Sequence, residues 1–184
     1  MSDLFATVGK LSSGYGRLQV DEFFARARQA YEAGSEGDGA FTARTVRNAT
    51  FPITRGGYNM GEVDEALDRI ESAFVQRERA EYIAVHGRQS WLDNVAERAK
   101  RLYPRLLRPA GERFAHPAKG RGYKASEVDA LCDRLTAYFN EGRSITSSEL
   151  RFAAFTSARG EAAYAEAPVD AFLAAAVEVL LCVE

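Results

Sequence analysis

Residues 55–64 read Arg55-Gly56-Gly57-Tyr58-Asn59-Met60-Gly61-Glu62-Val63-Asp64, and an amphipathic stretch follows at once. The core of this string is a glycine, a tyrosine just behind it, and Val-Asp five and six residues past the tyrosine. That pattern recurs. Gly14, Tyr15, Val20 and Asp21 form one copy, and Gly57, Tyr58, Val63 and Asp64 the next. Gly122, Tyr123, Val128 and Asp129 form a third. The fourth is looser at the glycine, with Gly160 ahead of Tyr164, Val169 and Asp170. After each Val, apolar residues return at helical spacing: Ala66, Leu67, Ile70 and Phe74, then Leu131, Cys132, Leu135 and Phe139, then Phe172, Leu173, Ala176 and Leu180. One face of each helix is therefore expected to meet a core. The glycine is expected to turn with positive φ. The tyrosine brings an apolar body and a hydroxyl that can reach a partner. Asn59 and Glu62 fit a capping box, and Gly16 with Gln19 a weaker one. Lys124 is a poor cap, and Pro168 suits only a first turn.

A longer period lies over the short one. Thr42, Val46, Arg47, Ala49 and Phe51 match Thr146, Leu150, Arg151, Ala153 and Phe155 at identical spacing. Gly34 and Gly142 each stand fourteen residues past their Val. Val20 to Val128 spans 108 positions, Thr42 to Thr146 spans 104, and Val63 to Val169 spans 106. The expected fold is mainly α, with four turn-plus-amphipathic-helix repeats and short extended segments in two pseudo-symmetric halves. Residues 1–77 form the first repeat pair, with copies at 5–34 and 42–77. Residues 113–184 form the second, with copies at 113–142 and 146–184. A helical connector over 78–112 carries the stripe Trp91, Leu92, Val95, Ala99, Leu102 and Leu106. Gly87 is expected to separate its helix from the one before, and Pro104 to kink or end it. Residues 34–40 read as a flexible loop.

The string from Arg55 to Asp64, with Leu67-Asp68-Arg69-Ile70 behind it, resembles the motif of the DivIVA family. There a Thr-headed short helix leads through a Phe and an Arg-Gly-Tyr turn to Glu-Val-Asp and an amphipathic helix. Thr42 to Phe51 and Thr146 to Phe155 resemble the opening segment. Arg121-Gly122-Tyr123 with Glu127-Val128-Asp129 resembles the turn and helix start. The layout is similar to DivIVA-domain repeat proteins. The resemblance implies a non-catalytic, self-associating interaction or scaffold module of bacterial cell division or polar growth, cytoplasmic and stationed at the septum or pole, with division or cell-pole proteins as partners. The motif residues expected to hold it together are Tyr15, Val20, Phe51, Gly57, Tyr58, Val63, Gly122, Tyr123, Val128, Phe155, Tyr164 and Val169. Membrane contact in this family uses a bulky apolar residue before the Arg of the turn. Thr54 and Gly120 occupy that place here, so weak or no membrane binding is expected.

Composition bears on the other classes. The 184 residues carry 24 Lys and Arg against 26 Asp and Glu, a net charge of −2, unlike the basic footprint of a nucleic-acid binder. The run Arg98-Ala99-Lys100-Arg101 is read as a solvated helix face. Cys132 and Cys182 lie in apolar helical stretches and are expected as buried thiols rather than a disulfide framework. The opening MSDLFATVGK lacks the basic-then-apolar order of a signal peptide, and no stretch reaches membrane-spanning length. His86 and His116 belong to no metal or hydrolase motif, and Gly9-Lys10 lacks the rest of a phosphate loop. No catalytic, metal or cofactor residue is expected. Asp21, Asp64, Asp129 and Asp170 recur in first turns, where negative charge suits the helix dipole. Lys10, Arg55, Lys119, Arg121 and Arg159 lie at the turns as candidate contacts with a partner or an anionic membrane surface, the second functional reading.

Overall fold

The computed structural model describes residues 4–34 and 41–184. The loop expected over 34–40 therefore lies outside the described residues except for Gly34. The protein is mainly α-helical with short strands, and it divides into two compact units at Glu81/Tyr82.

In the first unit, β1 (Ser13–Tyr15) leads into α1 (Arg17–Ala33). After the loop come α2 (Ala43–Arg47), β2 (Ile53–Arg55) and α3 (Met60–His86), whose last turn passes the boundary at Glu81. The short α2 is fixed at its start by a reciprocal box in which Thr42 accepts from the Thr45 N–H and the Thr45 hydroxyl accepts from the Thr42 N–H. Arg47 then pairs with the buried Glu71 at 2.6 Å, tying α2 to α3. β1 and β2 run antiparallel, Ser13 opposite Arg55 and Tyr15 opposite Ile53. Tyr58 bridges to both Tyr15 and Thr7. The core is Val20, Tyr58 and Val63, with Phe5, Tyr15, Phe24, Phe51 and Leu67 packed around it.

The second unit holds α4 (Arg88–Lys100), α5 (Tyr103–Leu106), β3 (Arg121–Lys124), α6 (Ala125–Glu141), α7 (Ser147–Arg151), β4 (Ser157–Arg159), β5 (Ala163–Tyr164) and α8 (Glu166–Leu181). Gly87, at φ 81°, separates α3 from α4, and Pro104 sits in the first turn of α5. A Thr146–Glu149 capping box starts α7. β3 lies between β4 and β5, with Tyr123 opposite Ser157 on one side and Tyr164 on the other. Val128, Leu135, Leu150, Val169, Ala176 and Leu180 are buried. Residues 82–112 of the expected connector fold into this unit: Trp91 is buried and its indole N–H donates to the Cys182 carbonyl at 3.1 Å, pinning α4 to the end of α8.

Three of the four motif glycines act differently from the expectation, which holds only at Gly160. Gly14, Gly57 and Gly122 do not take positive φ; Gly56, Gly120 and Gly160 do. A Cβ on Gly14 would collide with the Tyr58 carbonyl oxygen, one on Gly57 with that of Tyr15, and one on Gly122 with that of Tyr164. These glycines let two backbones cross at a distance no side chain permits. The expected Asn59–Glu62 box forms only in part. Asn59 accepts from the Glu62 N–H at 3.3 Å, but the Glu62 carboxylate accepts from the Ala6 N–H at 2.9 Å. The segment upstream of β1 presents the Ala6 N–H there, and the carboxylate takes it.

Candidate functional site

Where β1 and β2 cross, the two motif copies of the first unit exchange tyrosines. Tyr58 is fully buried, and its hydroxyl donates to Asp21 of the other copy at 3.0 Å. The same hydroxyl accepts from the Leu4 N–H at 3.3 Å. The ring packs on Phe5 at 5.5 Å, and the Arg17 guanidinium lies 5.6 Å from its centroid. In return, Tyr15 hydrogen-bonds Asp64 and rests its ring on Phe51 at 5.4 Å. Burial, and next the neighbouring Asp64, raises the Tyr15 hydroxyl above its ordinary range; burial likewise raises Tyr58. Desolvation also lifts the Asp64 carboxyl, against the opposing bond from Tyr15.

In the second unit Tyr164, also fully buried, donates to Asp129 at 3.0 Å and accepts from the Arg113 N–H at 3.2 Å. Its ring packs on Phe114 at 5.3 Å. Tyr123 hydrogen-bonds Asp170 and packs on Phe155 at 5.1 Å. Tyr123 is half-buried rather than enclosed, because its hydroxyl reaches an Asp170 at the surface. Burial raises both tyrosines here too, followed by hydrogen bonds: the Arg113 N–H works against the rise at Tyr164, and Asp170 adds to it at Tyr123. Val20, Val63, Val128 and Val169 are all buried beneath these contacts. Each first-turn aspartate thus has a specific partner beyond the helix dipole.

The turn cations gather within their own units. Lys10 stands in a Gly9–Ser12 turn, beside the Gly56 backbone that follows Arg55. Between Lys10 and β1, Leu11 projects with 88% of its surface exposed. Arg121 faces Arg159 across the β3–β4 ladder and donates to the Ser157 hydroxyl at 2.7 Å. Lys119 is exposed two residues upstream. His86 packs its ring on Tyr82, and His116 lies against Tyr164 and the Ala163 carbonyl. Cys132 and Cys182 are free and buried, and burial pushes the Cys132 thiol up to about 12. Among the described residues, no buried side-chain nitrogen or oxygen lacks a hydrogen-bond partner. No helix described is long and apolar enough to cross a membrane.

The sequence reading missed Phe5 and Phe114. Each heads a Phe-Ala pair whose alanine carbonyl accepts a backbone N–H on the far side of its motif tyrosine: Ala6 from Asn59 and Ala115 from Ala165, both at 2.8 Å. The signal lay in the pair of strings Leu4-Phe5-Ala6 and Arg113-Phe114-Ala115, upstream of the motif glycines. Compared with protein-family models, with curated proteins and with solved structures, the chain matches none.

Proposed function

We propose that this chain is a non-catalytic protein–protein interaction or scaffold module of the DivIVA type, built from four motif copies in two pseudo-symmetric pairs. The observation that carries the reading is the crossed exchange: Tyr58 to Asp21, Tyr15 to Asp64, Tyr164 to Asp129 and Tyr123 to Asp170. The motif's polar groups are engaged in fastening one copy to another. What each pair offers outward is helix faces and turns. Its station is the bacterial cytoplasm, at the division septum or cell pole, with division or polar-growth proteins as partners and with self-association. A fluorescent fusion expressed from the native locus tests this. The expected result is enrichment at septa or poles; uniform fluorescence through the cell cycle refutes it.

The second reading, a peripheral membrane-surface module, draws on one observation. Leu11 is the most exposed large apolar side chain at a turn and is flanked by Lys10, with Arg55 nearby. The few cations at these turns give loose adsorption screened over about 8–10 Å at physiological salt. Little co-sedimentation with anionic vesicles is expected at physiological salt. Binding that survives high salt and is lost in Leu11→Ser reverses the order of the two readings.

A further inference from the structure

The two units differ in what lies on their paired helices. Between α1 and α3 runs an apolar groove of about 600 Å³, lined by Leu4, Phe24, Ala27, Tyr31, Ile70 and Phe74. Among the described residues nothing covers it, and Leu4 keeps 57% of its surface exposed. In the second unit, the positions that correspond through the motif to Phe24, Ala27, Ile70 and Phe74 are Cys132, Leu135, Ala176 and Leu180. All four are buried, whereas in the first unit Ala27 and Phe74 are buried but Phe24 and Ile70 are only half-buried. The counterpart of Tyr31 is Phe139, whose ring packs on Tyr103 of α5 at 5.7 Å. Leu102 and Leu106 of the covering segment are buried, and Arg105 donates to the Arg113 carbonyl at 2.6 Å. The chain itself therefore displays what such a helix pair takes: an amphipathic helical segment with a Trp/Leu stripe.

The rims decide which segment fits the open groove. In the second unit, Asp133 and Glu178 stand where the first unit has Ala25 and Ser72. The segment packed beside them is on balance basic, with Arg98, Lys100, Arg101, Arg105 and Arg108 against Asp93 and Glu97; Arg98 pairs with Glu178 at 3.4 Å, while Asp133 pairs with Arg113 just beyond the segment. The open groove has two arginines and one aspartate in its lining, Asp21, whose carboxylate already accepts from the Tyr58 hydroxyl. Arg28 on α1 and Arg69 on α3 hold side chains 80% and 72% exposed, one on each wall. Their partners, Glu32 and Glu65, lie four residues away on the same helices. Exposed pairs of this kind are weak, so exchanging them for a ligand's carboxylates costs little.

We infer that the α1–α3 groove docks an amphipathic helix of a partner protein, with its apolar stripe in the groove and carboxylates flanking it toward Arg28 and Arg69. The inference rests on reading the two motif pairs as equivalent, and not on any role in division. A second copy's own α4–α5 segment is the wrong guest, because its cations would face Arg28 and Arg69.

Two fluorescein-labelled peptides test this on the full chain by anisotropy. One is residues 88–108 as they stand; the other carries Glu at positions 100, 101, 105 and 108. Both keep Trp91, Val95, Leu102 and Leu106. The acidic peptide is expected to bind at least about fivefold more tightly, in keeping with two exposed ion pairs. Arg28→Glu with Arg69→Glu, both surface changes, is expected to invert that preference, and Ile70→Asp to weaken both peptides. The inference is overturned by failure of both peptides to bind, by tighter binding of the basic peptide, or by binding indifferent to the charge reversal. A dimer in sedimentation equilibrium that Ile70→Asp dissociates would also overturn it, in favour of a second copy. Failure here leaves septal or polar localisation untouched, and diffuse localisation leaves this measurement untouched.

Discussion

Tyr58 and Tyr164 make the same bond in different surroundings. Asp21, which receives Tyr58, is half-buried and sits beside the exposed Leu4. Asp129, which receives Tyr164, retains 5% of its surface, accepts from the Gly111 N–H at 2.8 Å, and lies 3.5 Å from the buried Arg113 guanidinium. Arg113 also donates to the Asp129 carbonyl at 2.8 Å and pairs with Asp133. One motif contact is thus a surface clasp in the first unit and the centre of an enclosed ionic network in the second. The residue that decides which stands directly before the phenylalanine: Leu4 in one unit, Arg113 in the other. Arg113→Leu gives the second unit the first unit's residue and leaves the buried Asp129 without its cation, held only by the Tyr164 hydroxyl and the Gly111 N–H. Removing one member of a buried pair costs about 3–5 kcal/mol, so this should be the largest effect in denaturant unfolding. Leu4→Arg adds an exposed cation and should stay within about 0.5 kcal/mol. Similar losses from the two changes would mean that Asp129 is not held as described.

The strand crossings break the comparison at a second place. Gly14 and Gly122 each lie against the carbonyl of the opposing motif tyrosine, so Gly14→Ala and Gly122→Ala should cost about 1–3 kcal/mol through overpacking. Gly57 corresponds to Ala163, which the second unit accommodates fully buried. A Cβ on Gly57 would nevertheless collide with the Tyr15 carbonyl oxygen and meet the Gly14 backbone at 2.7 and 2.8 Å, so Gly57→Ala should cost as much as Gly14→Ala. Thermal melts of the three variants check this, and a loss near zero at any of them would show that the crossing is looser than its geometry.

Removing only the hydroxyls sharpens the contrast between the clasps. Tyr164→Phe leaves Asp129 one donor short in an enclosed site, at a cost of about 1–3 kcal/mol. Tyr58→Phe leaves Asp21 free to meet water, at about 1 kcal/mol or less. Chemical denaturation of both variants measures the difference, and equality would place Asp21 in the same enclosure as Asp129.

Much of this was legible in the sequence, because apolar spacing and capping chemistry are local. The helices after Val20, Val63, Val128 and Val169 follow from the period of their buried faces. Thr42 and Thr146, matched in the sequence by spacing alone, both start short helices through capping boxes. What was not legible is what depends on a partner far along the chain. Asp21 and Asp129 look like dipole-adapted first-turn residues until a tyrosine 37 or 35 residues away reaches them. Glu62 looks like a capping residue until Ala6, 56 residues upstream, supplies a donor. The glycines look like turn residues because crossing backbones leave no trace in local propensity. The connector looked independent because an amphipathic stripe does not say which unit it covers.

The smallest effect concerns pH. All four motif tyrosines are raised, chiefly by burial. A raised folded value means stability present below the ordinary 10 and lost as pH climbs through the folded value, so both units should weaken in alkali. Acid should separate them. Glu127 is lowered by the Thr156 backbone N–H it accepts at 2.7 Å, and Glu149 by its bond from Arg134 and then by the Thr146 N–H. The first unit has Gln19 and Thr45 at the corresponding places, and neither titrates. Lowered carboxylates contribute stability above their ordinary 4.5 that disappears as pH falls through the lower folded values. The chain's one tryptophan, Trp91, lies in the second unit and reports its unfolding by fluorescence. Glu127→Gln with Glu149→Thr installs the first unit's residues and keeps a Thr–Thr capping box of the kind that starts α2. The double variant should lose some stability at neutral pH and show a flatter acid limb in Trp91-detected unfolding between about pH 5 and 3. An unchanged acid limb would mean that these two carboxylates, exposed as they are, contribute nothing beyond what glutamine and threonine supply in the first unit.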